Sequence, residues 1–152
     1  MSRKWIDNKV PNNENILNEN KLENSAKIAV EKYIYNFDNY KLDLAANEVL
    51  SLAINTNLYL NDNQPWLLIK DKDNLPLVKQ IIYNVLESTR IIGLLLLPLL
   101  PELSTKINEQ LGSMYREEIP WKKQLSWGIL VRNSSLPKPT PIMNKLEYEH
   151  HL

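Results

Sequence analysis

Apolar residues recur along most of this chain at steps of three and four, the spacing that gathers them on one face of a helix. Ala26, Val30, Tyr33, Ile34 and Phe37 form the first such stripe, and Asp38-Asn39 after it is a turn signal. Leu42, Ala46, Val49, Ala53, Asn57 and Leu60 form a second. This reading puts Asn57 on the apolar side, as a buried polar group that costs about 1–3 kcal/mol unless it is hydrogen-bonded. A bond to backbone at the coming turn is the plainer expectation than contact with a ligand. A third helix is expected over 75–97, with Leu75, Val78, Ile82, Val85, Leu86, Thr89, Ile92 and Leu96 as its inward stripe. Pro98 and Pro101 stop it, because proline lacks an amide donor and clashes with the preceding turn. A short helix over 102–111 follows, and Gly112 suits its C-cap.

From Ser113 onward the periodicity fades, but Trp121 and Trp127 supply apolar area that should pack back onto the helices. Pro137, Pro139 and Pro141 read as an extended strap with polyproline character. The expected architecture is therefore an all-α helical bundle with a Pro-containing C-terminal strap. At 152 residues the chain fits one domain, long enough to bury a core. Its expected parts are a polar loop over 11–24, a helical core over 25–112 and a C-terminal segment over 113–152 that packs back on the bundle.

Composition narrows the function. Lys plus Arg and Asp plus Glu both total 18, so the formal net charge is zero and no global field draws the chain to nucleic acid or to a membrane. Any RNA binding must be local. No cysteine is present, which excludes a disulfide framework and Cys-ligated zinc and suits a reducing, cytoplasmic setting. The start Met1-Ser-Arg-Lys-Trp5 lacks the apolar core of a secretory signal. Ile91 to Leu100 is the most apolar segment, yet it falls far short of the roughly 20 residues that span a bilayer. No membrane partner is expected.

Catalysis finds little to work with. Glycines occur only at 93, 112 and 128, and neither a phosphate-cradling loop nor a dinucleotide fingerprint is present. The two histidines, His150 and His151, lie at the C-terminal end, and no Cys or Ser sits in a nucleophile motif. The expectation is no catalytic residue, no metal site and no cofactor held by these residues.

Three features carry candidate chemistry. Pro65-Trp66 places an indole at a helix-ending turn, where the proline fixes its own φ; the ring either plugs a helix corner or offers a flat face on which an unpaired base can stack. Arg90 stands among aliphatic residues three positions after Glu87, at ion-pair spacing, which favours a structural role. Lys70, Lys72 and Lys79 follow the turn and are placed to meet phosphates. Asp71 and Asp73 interleave with the first two, so an ordinary solvated surface is an equal alternative.

Asn57-x-Tyr59, the Pro65-Trp66 pair, Lys70 and the run Glu87-Ser-Thr-Arg90-Ile-Ile-Gly-Leu-Leu-Leu-Leu-Pro98-Leu-Leu-Pro101 together resemble the anticodon-binding domain of methionyl-tRNA synthetase. Leu111-Gly112, Trp121, Trp127-Gly128 and the tail from Pro137 to Glu147 resemble that family's closing segment, so the likeness covers nearly the whole chain. It implies a helical bundle of the class I aminoacyl-tRNA synthetase anticodon-binding type. It also implies a partner, the CAU anticodon loop of tRNA(Met), and a catalytic domain in the same polypeptide that attaches methionine with ATP and Mg. The catalytic signatures are absent here, so the chain reads as a fragment, inactive by itself, whose residues 1–10 end a truncated first helix. An Asn and an Arg that assist recognition earlier on that helix in the family have no counterpart. Trp66 matches the family's base-stacking tryptophan and Pro65 the proline before it. Asn57 and Tyr59 match the helix that presents them, and Lys145 falls near a basic position. The anticodon domain of another class I synthetase, or a helical protein-interaction module without RNA binding, stands as the alternative.

Overall fold

Asn20 opens the first long helix by accepting a hydrogen bond from the Glu23 amide at 3.2 Å, which satisfies one of the donors that a helix N-terminus leaves open. The computed structural model describes residues 5–12 and 20–143. Among these the chain forms α1 (Lys21–Asp38), α2 (Leu42–Asn63), the short α3 (Pro65–Leu68), a 3-10 turn (Lys72–Asn74), α4 (Leu75–Leu96), α5 (Pro101–Leu111) and the short α6 (Trp121–Gln124). The expected helical bundle is thus the fold observed. α1 begins inside the stretch read as a polar loop, because Asn20 supplies the cap.

The first apolar stripe packs as its spacing predicts. Ala26 and Tyr33 are buried, and Val30, Ile34 and Phe37 lie against them. The second stripe is corrected by one position. Ala45, Val49, Leu52 and Thr56 face the core, whereas Leu42, Ala46 and Asn57 are exposed. α2 carries apolar residues around most of its circumference, so three- and four-residue steps fit more than one face. The polar face of the helix therefore holds Asn57, which is not the buried group its spacing suggested.

α4 is the central element, packed by α1, α2, α5 and the turn after α3. Enclosure on all sides explains why its inward stripe is also shifted. Ile81, Tyr83, Ile91, Leu94 and Leu95 are buried beside Val78 and Ile82, while Val85, Leu86, Thr89, Ile92 and Leu96 are only partly covered. Helix end and restart follow the prolines: Pro101 takes the first turn of α5, where its missing amide donor costs nothing. Gly112 ends α5 at φ 62°, the left-handed cap that glycine adopts without strain. At Gly93 the demand is space. A Cβ there would come within 2.9 Å of Ile107 Cγ2 and 3.0 Å of the Asn108 side chain, so α4 and α5 meet closely because this residue has no side chain.

One ion pair ties the C-terminal segment to the bundle. Arg90 and Glu87 are 1% and 0% exposed, and the guanidinium donates from Nε and Nη2 to the two carboxylate oxygens at 3.0 and 2.6 Å. Glu87 also accepts from the amides of Gly128, Ile129 and Leu130 at 2.8, 3.0 and 3.0 Å. Arg90 donates to the Gln124 and Ser126 carbonyls at 2.5 and 2.7 Å. Farther on, the strap pairs with the N-terminal segment. The Val10 amide donates to Ser134 O at 2.8 Å, the Asn133 amide to Val10 O at 2.9 Å and the Leu136 amide to Asn8 O at 2.9 Å. Gln110 then holds Thr140 through two hydrogen bonds of 2.6 and 3.1 Å. Residues 136–141 contain no helix.

Replacing Glu87 by Gln leaves the Arg90 charge buried without its counter-ion, so the E87Q chain should lose about 3–5 kcal/mol in urea unfolding followed by circular dichroism. Tyr33 gives a second expectation. Its ring is fully buried, its hydroxyl has no hydrogen-bond partner among the described residues, and burial pushes its pKa from 10.0 up to about 12. The folded state therefore keeps a proton that the unfolded chain releases, and stability falls as pH rises from 10 to about 12. Tyr33→Phe should be neutral or up to about 1 kcal/mol more stable at pH 7, since no buried hydroxyl goes unpaired. Its stability should decline less than that of the parent between pH 9 and pH 11.

Candidate nucleic-acid interface

The turn that presents Trp66 is built from the end of α2. Gln64 takes a left-handed conformation (φ 43°, ψ 56°), its amide still bonding Leu60 O at 3.1 Å, and this reversal turns the chain into α3. Pro65 occupies the first position of α3, where its fixed φ suits a helix start. Leu67 and Ile69 amides then return to Gln64 O and Pro65 O at 2.9 and 3.0 Å.

Within this one turn the side chains divide. Pro65 is buried, and Leu68 and Ile69 pack with Trp5 on the cluster of Ile6, Val78 and Ile82. Trp66 and Leu67 point outward, 37% and 47% exposed. The turn is therefore anchored on its inner side and shows an indole on its outer side. Trp66 takes part in no ring stack, cation–π contact or side-chain hydrogen bond among the described residues. Part of its surface is thus open to solvent. Trp121 is held inward: it lies tilted against Tyr33 with centroids 5.9 Å apart, and its Nε1 donates to Leu94 O at 3.1 Å.

Tyr59 faces the bundle, not the solvent. Its hydroxyl accepts from Asn84 Nδ2 at 2.9 Å, and Asn84 Oδ1 in turn accepts from Asn20 Nδ2 at 3.2 Å. Burial raises the Tyr59 pKa, and the Asn84 hydrogen bond opposes this by favouring the phenolate. Tyr59 thus joins the end of α2 to α4 and to the cap of α1, and it positions the turn without lying on its outer face. Asn57, two residues earlier, projects to solvent from another side of α2. Lys70 and Lys72 are exposed beyond the turn, with Asp71 and Asp73 between and beside them, and Asp71 is occupied in accepting the Asp73 amide at 3.0 Å. The local charge is mixed. Lys145, His150 and His151 lie outside the described residues.

The polar relay through Asn20, Asn84 and Tyr59 was not legible beforehand. Asn84 sits in an apolar helix pattern, and only its burial at 1% exposure shows that it must find partners.

Residues 10–151 match the family model described as the anticodon binding domain of methionyl tRNA ligase. The chain belongs to this family. A methionine–tRNA ligase of Synechocystis is 37% identical to the anticodon-binding chain over 112 residues, covering 68% of this chain and 21% of that protein. The methionine–tRNA ligase of Thermosynechococcus vestitus is 30% identical over 154 residues, covering 96% of this chain and 29% of that protein. The chain accordingly spans between a fifth and a third of the length of these curated relatives. Among solved structures, the free form of Mycobacterium tuberculosis methionyl-tRNA synthetase superposes with a TM-score of 0.80 over 97% of this chain and 30% of that one. At 24% identity this likeness concerns the fold. The anticodon-domain family and the observed bundle agree with the resemblance seen in the Asn57-to-Pro101 stretch, and they set aside the other class I synthetases as its source.

A surface indole and a core indole should respond differently to truncation. Trp121→Ala should cost about 3 kcal/mol in urea unfolding, by loss of buried contacts and of the hydrogen bond to Leu94. Trp66→Ala should cost less than half as much in the same measurement.

Proposed function

We propose that this chain recognises the anticodon loop of tRNA(Met), with Trp66 as a platform on which one base of the CAU triplet lies. The observation that carries the proposal is the outward indole of an anchored Pro-Trp turn, in a chain of the anticodon-binding family. Stacking needs a flat face of fixed orientation and tolerates any base. The buried Pro65 and the partly buried Leu68 and Ile69 supply the orientation at little entropic cost on binding. Such stacking contributes roughly 1–3 kcal/mol per base. Discrimination among bases then falls to polar groups that reach the base edge. Lys145 is the candidate on this chain, while Asn57 and Tyr59 belong to the helix that presents the turn and Pro65 holds the ring in place. Lys70 and Lys72, both exposed beyond the turn, meet phosphates at a strength limited by Asp71 and Asp73.

In this reading the chain works with a catalytic domain of the same polypeptide, which joins methionine to tRNA(Met) with ATP and Mg in the cytoplasm. ATP and Mg belong, in this reading, to that other domain. The division into an end of a first helix (1–10), a loop (11–24), a helical core (25–112) and a closing segment (113–152) belongs to the same proposal. No helix among the described residues is long and apolar enough to cross a membrane.

A protein-interaction role has one specific observation in its favour. Leu50, Ile54 and Leu58 stand at four-residue steps on the outer side of α2, 59%, 51% and 53% exposed, and the chain has no net charge to steer it to RNA.

Fluorescence anisotropy of a labelled CAU stem-loop separates the two. It should be run at low salt, because phosphate contacts weaken steeply as salt rises. The chain, or a version extended upstream to complete the first helix, should bind CAU more tightly than a loop with a changed anticodon. Trp66→Ala should weaken that binding about 5- to 150-fold. Equal binding of both loops by both folded versions would overturn the anticodon reading and leave the α2 surface as the better guide.

A further inference from the structure

At the opposite end of α4 from the Pro-Trp turn, a cavity of about 490 Å³ lies between α4, the loop after Gly112 and the segment after α6. Along α4, with a rise of about 1.5 Å per residue, Val78 and Ile82 beneath the turn stand roughly 12–24 Å from Arg90 and Leu94 at the cavity. The volume falls within the range of about 300–1,000 Å³ typical of small-molecule sites.

Its lining has two parts. Leu94, Met114, Ile119 and Ile129 give it apolar walls, and Arg116 and Lys123 bring two cations to it, with no carboxylate among the lining residues. Neither cation forms an ion pair among the described residues. Arg90 also lines the cavity, its charge matched by that of Glu87. Arg90 is 1% exposed, and its hydrogen bonds engage four of the five N–H groups that a guanidinium carries. The remaining N–H, on Nη1, has no partner among the described residues. Glu87 lies on the other side of Arg90 and is already met by that guanidinium and by three amides, so its charge is compensated.

The cavity is also held open by structure. Gln124, 7% exposed, accepts from the Arg116 amide at 3.0 Å and donates to the Arg116 and Ile119 carbonyls, both at 2.7 Å. One side chain thus fixes the loop that carries both a cation and an apolar wall. The Trp121 bond to Leu94 O fixes the neighbouring edge.

We propose that this cavity binds a small carboxylic acid with an apolar body. The carboxylate sits between Arg116 and Lys123, within reach of the free Arg90 N–H, and the body lies against Leu94, Met114 and Ile129. Arg116 and Lys123, which form no ion pair among the described residues, favour an anion, and a planar guanidinium suits carboxylate geometry. The apolar walls favour a hydrocarbon chain or ring over a fully hydrated ion.

The test uses the isotope-labelled 152-residue chain, titrated at pH 7 with 4-phenylbutyrate and with octanoate while amide shifts are followed by NMR. Saturable shifts centred on Gly112, Ser113, Ile129 and Leu130 are expected with at least one acid. The R116Q/K123Q double variant, altered only at exposed positions, should bind about three- to tenfold more weakly. The neutral amide of the acid that binds should be weakened alongside. Absence of saturable shifts at these amides with both acids would overturn the proposal, as would equal binding by the double variant or equal binding of acid and amide.

Discussion

A carboxylate and a guanidinium with almost no contact with water hold the second half of this molecule together. Taking two such ions out of water costs several kcal/mol each, and their attraction offsets this only if the remaining donors and acceptors are met. Here the deficit is made up by backbone. Three amides from Gly128 to Leu130 converge on Glu87, and the carbonyls of Gln124 and Ser126 converge on Arg90. A segment with no helical periodicity of its own is thereby given one position on α4. Leu125 and Leu130 then reach the core only because the pair holds their backbone there. The neighbouring cavity is a by-product of the same arrangement, since the loop that wraps the pair also forms its wall.

Position along α4 divides the molecule's work. Its middle and C-terminal turns carry the ion pair, the close approach at Gly93 and the aliphatic run that packs α1, α2 and α5. Its N-terminal turns, with Val78 and Ile82, receive the residues that anchor the Pro-Trp turn. The proposed base platform is therefore mounted on the most heavily packed helix and not on a free loop. Asn84, one turn before the ion pair, links this end to Tyr59 and Asn20, so the mounting of α2 and the cap of α1 share a single buried amide. Rigidity of that kind matters for stacking, where a misaligned ring loses most of the contact area.

Parts of the site were readable in residues close together in sequence. Pro before Trp, directly after a helical pattern, signals a helix-ending turn; that the proline also opens a further short helix, α3, is a finding of the structure. Glu87 and Arg90 announce their pairing by a three-residue spacing that is local to any helix. Asn57 was misplaced because α2 is apolar on several sides; Leu44, Leu50, Ile54 and Leu58 face outward, and no spacing rule separates them from Val49 and Leu52. The face a helix buries is chosen by its neighbours, and those lie far away in the chain.

By itself the sequence determined the long helices, through local effects: apolar steps of three and four, prolines that stop α4 and a glycine at φ 62° after α5; the Asn20 cap that starts α1 lay inside a stretch that reads as a polar loop. It also carried the Pro-Trp signature and the family likeness that goes with it. Tertiary structure alone decided that Trp66 faces out while Trp121 faces in, although both are indoles next to a proline. It decided too that Tyr59 binds inward to Asn84, and that Val10 pairs with the strap at Asn133 and Ser134. The reason is range. A helix or a cap is settled by groups within about four residues of one another, whereas burial and long-range hydrogen bonds depend on which distant surfaces meet.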